Sequence, residues 1–76
     1  MMKDIAIFGA GGFGKEVACL IRRINEEYEN PIWNLIGFFD DDPSKKNVEI
    51  SHFGRCFGGV EVVNSWEKPL SVAISI

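Results

Sequence analysis

The spacing of apolar residues changes repeatedly along the chain, and each change marks an element. Ile5-Ala6-Ile7-Phe8 is an unbroken apolar run, the habit of a strand buried on both faces of a parallel sheet. From Phe13 to about Glu29 the period becomes helical. Val17, Leu20, Ile21, Ile24 and Tyr28 recur at intervals of three and four, while Arg22, Arg23, Glu26 and Glu27 fall off that stripe. The helix is expected to stop before Asn30-Pro31, because proline cannot continue it and restricts the residue ahead of it. Leu35-Ile36-Gly37-Phe38-Phe39 is a second strand-like run, closed by Asp40-Asp41-Asp42-Pro43, and Pro43 to Asn47 reads as a turn. Strand, helix, strand in that order predicts a βαβ unit with parallel strands.

The stretch from Val48 to Val63 breaks into short apolar pieces around Gly54, Gly58 and Gly59, the pattern of short strands or loops. Asn64 or Ser65 is positioned to cap a brief helix through Trp66 and Glu67 that Pro69 would end. Ser71 to Ile76 is a third strand. The expected fold class is therefore α/β: a small Rossmann-like, three-layer domain whose short parallel sheet holds the βαβ unit and one further strand. The last strand runs to Ile76 with no polar tail, so residues 1–76 are expected to be one domain at the N-terminus of a longer, truncated protein.

Composition narrows the function classes. With 76 residues there is room for one small domain, and a chain of this size buries only about 60% of its unfolded surface. Eight Lys and Arg against eleven Asp and Glu leave a net charge of −3, which argues against duplex nucleic acid or an anionic membrane as partner. No apolar run approaches the roughly 20 residues of a membrane span, and the N-terminus is too short in apolar residues for a secretory signal. Cys19 and Cys56 show no metal-ligand spacing and form no disulfide framework. These features read as a cytoplasmic protein.

The informative segment is Gly9-Ala10-Gly11-Gly12-Phe13-Gly14-Lys15, which follows the first strand and opens the helix. Gly9, Gly11 and Gly14 match the spacing G-x-G-x-x-G, which in this context predicts a diphosphate site. Gly9 would make the tight turn, Gly11 would let a ligand approach the backbone, and Gly14 would let helix and strand pack closely. The unpaired amides of the first helical turn and the positive end of the dipole favour an anion there. Lys15, a cation at a helix start, makes sense beside a phosphate. The same residues spell most of a Walker A loop, but Glu16 stands where Ser or Thr should hold magnesium, which counts against nucleoside triphosphate hydrolysis.

In a parallel βαβ unit the acidic run Asp40-Asp41-Asp42 lies beside the glycine loop. An acid at the end of the second strand accepts hydrogen bonds from ribose hydroxyls and disfavours a 2′-phosphate. Gly14 and Asp40 stand 26 positions apart, longer than the usual spacing of about 20. Asp40 and Asp41 are the candidate contacts, and Asp42 reads as a turn residue. His52 lacks any partner at a catalytic spacing, and Cys56 reads as a small packing residue. A glycine turn that binds nothing remains the alternative.

Taken together, residues 7–17, Gly37-Phe38-Phe39-Asp40-Asp41-Asp42-Pro43, Cys56-Phe57-Gly58-Gly59 and Val72-Ala73-Ile74-Ser75-Ile76 resemble the N-terminal domain of sugar O-acyltransferases of the sialic acid O-acetyltransferase and PglD type. The resemblance spans essentially the whole chain. It implies a Rossmann-like domain that binds a UDP-linked amino sugar, followed by a left-handed parallel β-helix that forms homotrimers, binds acetyl-CoA between subunits and carries the catalytic histidine. Bacterial surface polysaccharides or glycoproteins would be the destination. On that basis Gly9, Gly11, Gly12 and Gly14 lie near the phosphates, with Phe13 and Lys15 in the same loop, and Asp40 and Asp41 lie near the ribose or uracil. Many members of the family carry histidine at the position of Phe13. No catalytic base and no acetyl-CoA site are expected within these 76 residues, and the isolated domain is a candidate monomer. Two other classes share some features: an NAD-binding module of an oxidoreductase or redox sensor, and a non-catalytic regulatory or oligomerisation domain. The longer spacing to Asp40 and the Gly58-Gly59 segment count against the NAD module.

Overall fold

A computed structural model describes residues 2–75. Its elements run β1 (Lys3–Phe8), α1 (Gly12–Glu26), β2 (Trp33–Phe39), a 3-10 turn (Pro43–Lys45), β3 (Glu49–Ile50), β4 (Gly54–Arg55), α2 (Val60–Asn64) and β5 (Ser71–Ile74). β1 is the central strand, parallel to β2 on one side and to β5 on the other. An isolated parallel bridge from Phe38 to Cys56 extends the sheet beyond β2, held by Phe57 N–H to the Phe38 carbonyl (2.9 Å) and Asp40 N–H to the Gly58 carbonyl (2.7 Å). The spatial order is thus residue 56, β2, β1, β5. The chain moves outward on one side of β1, then crosses to the other. This is a Rossmann-like α/β domain, and among the described residues no helix is long and apolar enough to cross a membrane.

Alternation along the strands creates the layers. Ile5, Ile7 and Phe38 are buried in one core with Ala10, Ala18, Ile21, Ile50 and Cys56, so α1 and the β3–β4 hairpin cover that face. Phe39, next in sequence to Phe38, points the other way. Its ring meets Phe57 at 5.6 Å and Trp66 at 5.6 Å, and Phe57 meets Trp66 at 5.4 Å. This aromatic triangle and α2 form the third layer. At Gly37 the register of β2 against β1 shifts. Its φ of +148° is a conformation that side chains rarely adopt, and a Cβ there would lie 2.6 Å from the Arg55 carbonyl.

α1 differs from the expected helix in two respects. Its buried positions are Gly14, Ala18 and Ile21, whereas Leu20 and Tyr28 are exposed. The small residues let the helix sit close to the sheet, which rotates the buried stripe away from the larger side chains. The helix also ends at Glu26 rather than near Glu29. Asn25 causes the turn: its side-chain oxygen accepts from Ile32 N–H (3.1 Å) and Trp33 N–H (3.0 Å), and its amide donates to the Trp33 carbonyl (2.8 Å).

The brief second helix is also displaced from its expected place. It spans Val60–Asn64, with Gly59 as N-cap, so Asn64 and Ser65 close it rather than open it. Ser65 Oγ donates to the Val62 carbonyl at 3.0 Å. The group that satisfies its first amide comes from far away: Asp41 Oδ1 accepts from Val60 N–H at 2.9 Å. β5 is formed by Ser71–Ile74, and the expected strand end at Ile76 lies outside the described residues.

Replacing Asn25 with Ala leaves two backbone N–H groups at the start of β2 without acceptors. The expected cost is about 2 kcal/mol of unfolding free energy, near 10 °C in Tm for a domain of this size. Asn25→Asp keeps the acceptor but sets a second carboxylate oxygen against the Trp33 carbonyl, so it should recover only part of the loss. A thermal melt in which N25A matches the parent would show that the clip does not hold α1 to β2.

Candidate functional site

The glycine segment lies at the carboxyl edge of the sheet, at the end of β1, the central strand from which β2 lies on one side and β5 on the other. Open α/β sheets bind ligands at that edge. Gly9 ends β1 with φ +116°, and its N–H donates to the Phe39 carbonyl at 2.7 Å. Ser75 closes in from the other side. Its N–H donates to the Phe8 carbonyl (2.9 Å), and its Oγ lies 3.3 Å from the Gly9 carbonyl and 3.4 Å from that of Phe8. A side chain at Gly9 would collide with Ser75.

The other glycines divide into two kinds. At Gly14 a Cβ would run into the Gly9 carbonyl, so the start of α1 can rest on the end of β1 only if this position is bare. Gly11 and Gly12 are different: a Cβ at either would meet nothing within 4 Å, and neither has a positive φ. Packing and backbone geometry leave both free to carry a side chain.

α1 begins without compensation. Gly11 is its N-cap and offers no side chain, and the first turn contains no acidic residue. The amides of Gly12, Phe13 and Gly14 have no acceptor four residues back within the helix, and the Lys15 N–H makes the first turn's bond to the Gly11 carbonyl (3.2 Å). Phe13 and Lys15 are both exposed. An anion at this end would be favoured by the amides and by the dipole together.

The three aspartates each hold backbone. Asp40 Oδ2 accepts from Ala10 N–H and Oδ1 from Asp42 N–H, both at 2.9 Å. Its carboxylate therefore ties the end of β2 to the glycine segment, and each oxygen keeps a further acceptor position. Asp41 caps α2. Asp42 accepts from Ser44 N–H (3.0 Å) and Ser44 Oγ (2.8 Å). The hydroxyl bond, then the backbone bond, holds its carboxyl below the ordinary value. Asp40 sits beside the loop, while the described bond of Asp41 reaches α2 at Gly59-Val60.

Other candidates lie elsewhere. His52 is exposed on the β3–β4 turn and stacks on Phe53 with centroids 4.5 Å apart. Its carbonyl accepts from the guanidinium of Arg22 at 3.2 Å, a residue ten positions along α1 from Gly12. Cys56 is fully buried and Cys19 exposed. A surface concavity bordered by Met2, Lys3, Asp4, Pro69, Leu70 and Ser71 opens at the opposite edge, where β1 and β5 begin. Ser75 is the neighbour of the loop that the sequence reading did not single out. Its signal is positional: it follows the strand that flanks β1 across the reversal.

Against known proteins, the family model of the PglD N-terminal domain matches residues 4–76. No curated protein and no solved structure matches the chain.

Stability should separate the two kinds of glycine. Gly12→Ala, at the first helical position, is expected to leave the unfolding free energy unchanged or raise it by up to about 1 kcal/mol, whereas Gly14→Ala should cost about 1–3 kcal/mol through overpacking. Equal denaturation midpoints would contradict this division. Asp40→Ala strands the N–H of Ala10, a residue only 3% exposed, and should cost about 1–3 kcal/mol. A urea curve superimposing on the parent would show that the loop does not need that carboxylate.

Proposed function

Because the chain belongs to the PglD N-terminal domain family, among the sugar acetyltransferases, we propose that it binds the nucleotide-linked sugar on which such an enzyme acts. The diphosphate lies against the amides at the start of α1, with Gly9, Gly11, Gly12 and Gly14 beneath it and Lys15 adding a positive charge. The ribose meets the free acceptor positions of Asp40, and Asp41 extends the acidic edge toward the nucleoside. A UDP-linked amino sugar is the substrate class.

One observation carries this reading. Gly12 lacks a side chain that neither packing nor backbone conformation forbids, and Gly11, an N-cap where glycine is itself favoured, is equally open, so the loop leaves room for whatever approaches it from outside. The amides exposed there have no side-chain cap, which fits an anion rather than a neutral group. Asp40 supports the arrangement by fixing the turn through Ala10 N–H, so the amides need not reorganise when ligand arrives.

The chain's own contribution is binding and orientation. Acetyl-CoA would supply the acetyl thioester from a neighbouring left-handed β-helix, which would also provide the base that removes the acceptor's proton and the trimeric assembly. His52, the chain's one histidine, sits on the β3–β4 turn against Arg22 and is given no part in the reaction on this reading. The acidic edge is shared with NAD-binding modules, so the test includes that cofactor.

Isothermal titration of the chain with UDP, UDP-glucosamine and NAD provides the test. Binding of the UDP compounds is expected, with no comparable response to NAD, and Gly11→Val should abolish it while the domain stays folded, at a cost of about 1 kcal/mol for the poorer N-cap. Tight NAD binding without a response to UDP compounds would overturn the proposal, as would full UDP affinity in G11V.

A further inference from the structure

Phe13 is the one large side chain within the bare loop, and no packing contact explains it. It is 64% exposed, although the other phenylalanines of the chain are buried or half-buried. Phe39, Phe53 and Phe57 each have a described ring partner, whereas none is described for Phe13. Gly12 and Gly14 flank it. Isolated apolar residues are common on protein surfaces. This one stands at the second position of α1, directly above the segment that the proposed substrate must reach.

Helix geometry says where the ring goes. Side chains on a helix tilt toward its N-terminus and cover the turn before their own Cα. From position 13, the second of the helix, that direction leads past the helix start into the space the first-turn amides face, and Gly11 and Gly12 beside it carry no Cβ to fill that space. The space over the free amides is thus bordered by a phenyl ring on one side, while Asp40 ties the opposite, β2 side of the loop through Ala10 N–H. A phenyl ring neither donates nor accepts a conventional hydrogen bond. What it offers is an apolar face and a negative quadrupole, suited to the C–H face of a saturated ring.

We infer that Phe13 is a specificity-determining residue: its ring packs against the sugar of the nucleotide-linked substrate, leaving the nucleoside to the Asp40 side. The inference rests on the function proposed above and adds the part of the ligand that this residue reads. A ligand that ends at the diphosphate gains nothing from Phe13. A ligand that carries a pyranose beyond the diphosphate gains a ring-on-ring contact. Discrimination between the two is therefore the property that depends on this position.

The experiment compares UDP with UDP-glucosamine by calorimetry on the parent chain, Phe13→Ala and Phe13→Trp. The parent should bind UDP-glucosamine more tightly than UDP. Phe13→Ala should lose roughly tenfold for UDP-glucosamine and leave UDP unchanged, and Phe13→Trp should keep the preference. Because the ring is exposed, all three should melt together. If UDP and UDP-glucosamine weaken equally in F13A, if neither changes, or if the parent does not prefer UDP-glucosamine, the inference is overturned. Failure of the parent to bind either compound overturns the proposed function instead, and this inference with it.

Discussion

The start of α1 rests directly on the carbonyl of Gly9, and that apposition is possible only because position 14 has no Cβ. The rest of the domain follows from this contact. It sets how close the helix comes to the sheet, and so makes Ala18 and Ile21 the residues that fill the gap, with Leu20 turned outward. It also brings the free amides of the first helical turn to the carboxyl edge of the sheet, beside the end of β2. A bulkier residue would push the helix off the strand and disperse the groups that meet there.

Around that contact, the acidic run acts as a set of struts. In sequence Asp40-Asp41-Asp42 looks like a patch of negative charge, but each carboxylate is engaged with a different piece of backbone: the glycine segment, α2 and the 3-10 turn. Three chain segments distant in sequence are thereby pinned to the end of β2. The negative charge of Asp40 is directed at an amide just before the helix, so the amides of Gly12, Phe13 and Gly14 stay unblocked. The acidic segment therefore positions backbone without occupying the donors at the helix start.

Much of this architecture can be read from the sequence because the apolar runs are long and unbroken. Ile5 to Phe8, Leu35 to Phe39 and the segment from Ser71 each announce a strand, and parallel pairing then requires Asp40 to lie near Gly9 to Gly14. What escapes such a reading depends on partners remote in sequence. α2 begins at Val60 because Asp41 satisfies its amide from 19 residues away, so the local capping residues Asn64 and Ser65 mislead. The buried stripe of α1 is set by small residues, which carry little weight in a hydrophobic pattern. Asn25 and Ser75 act through hydrogen bonds to main chain across the fold, and nothing in their neighbouring residues signals that.

Gly9 and Gly14 are required by the fold, whereas Gly11, Gly12 and Phe13 are left free by it. The domain thus separates the positions that keep it folded from those that face outward, within a segment of six residues. Under the proposed function, divergence at the second group would retune which molecule is chosen while the packing of helix on strand stays intact. On that reading the scaffold would serve a succession of related substrates over evolutionary time while its framework stays put.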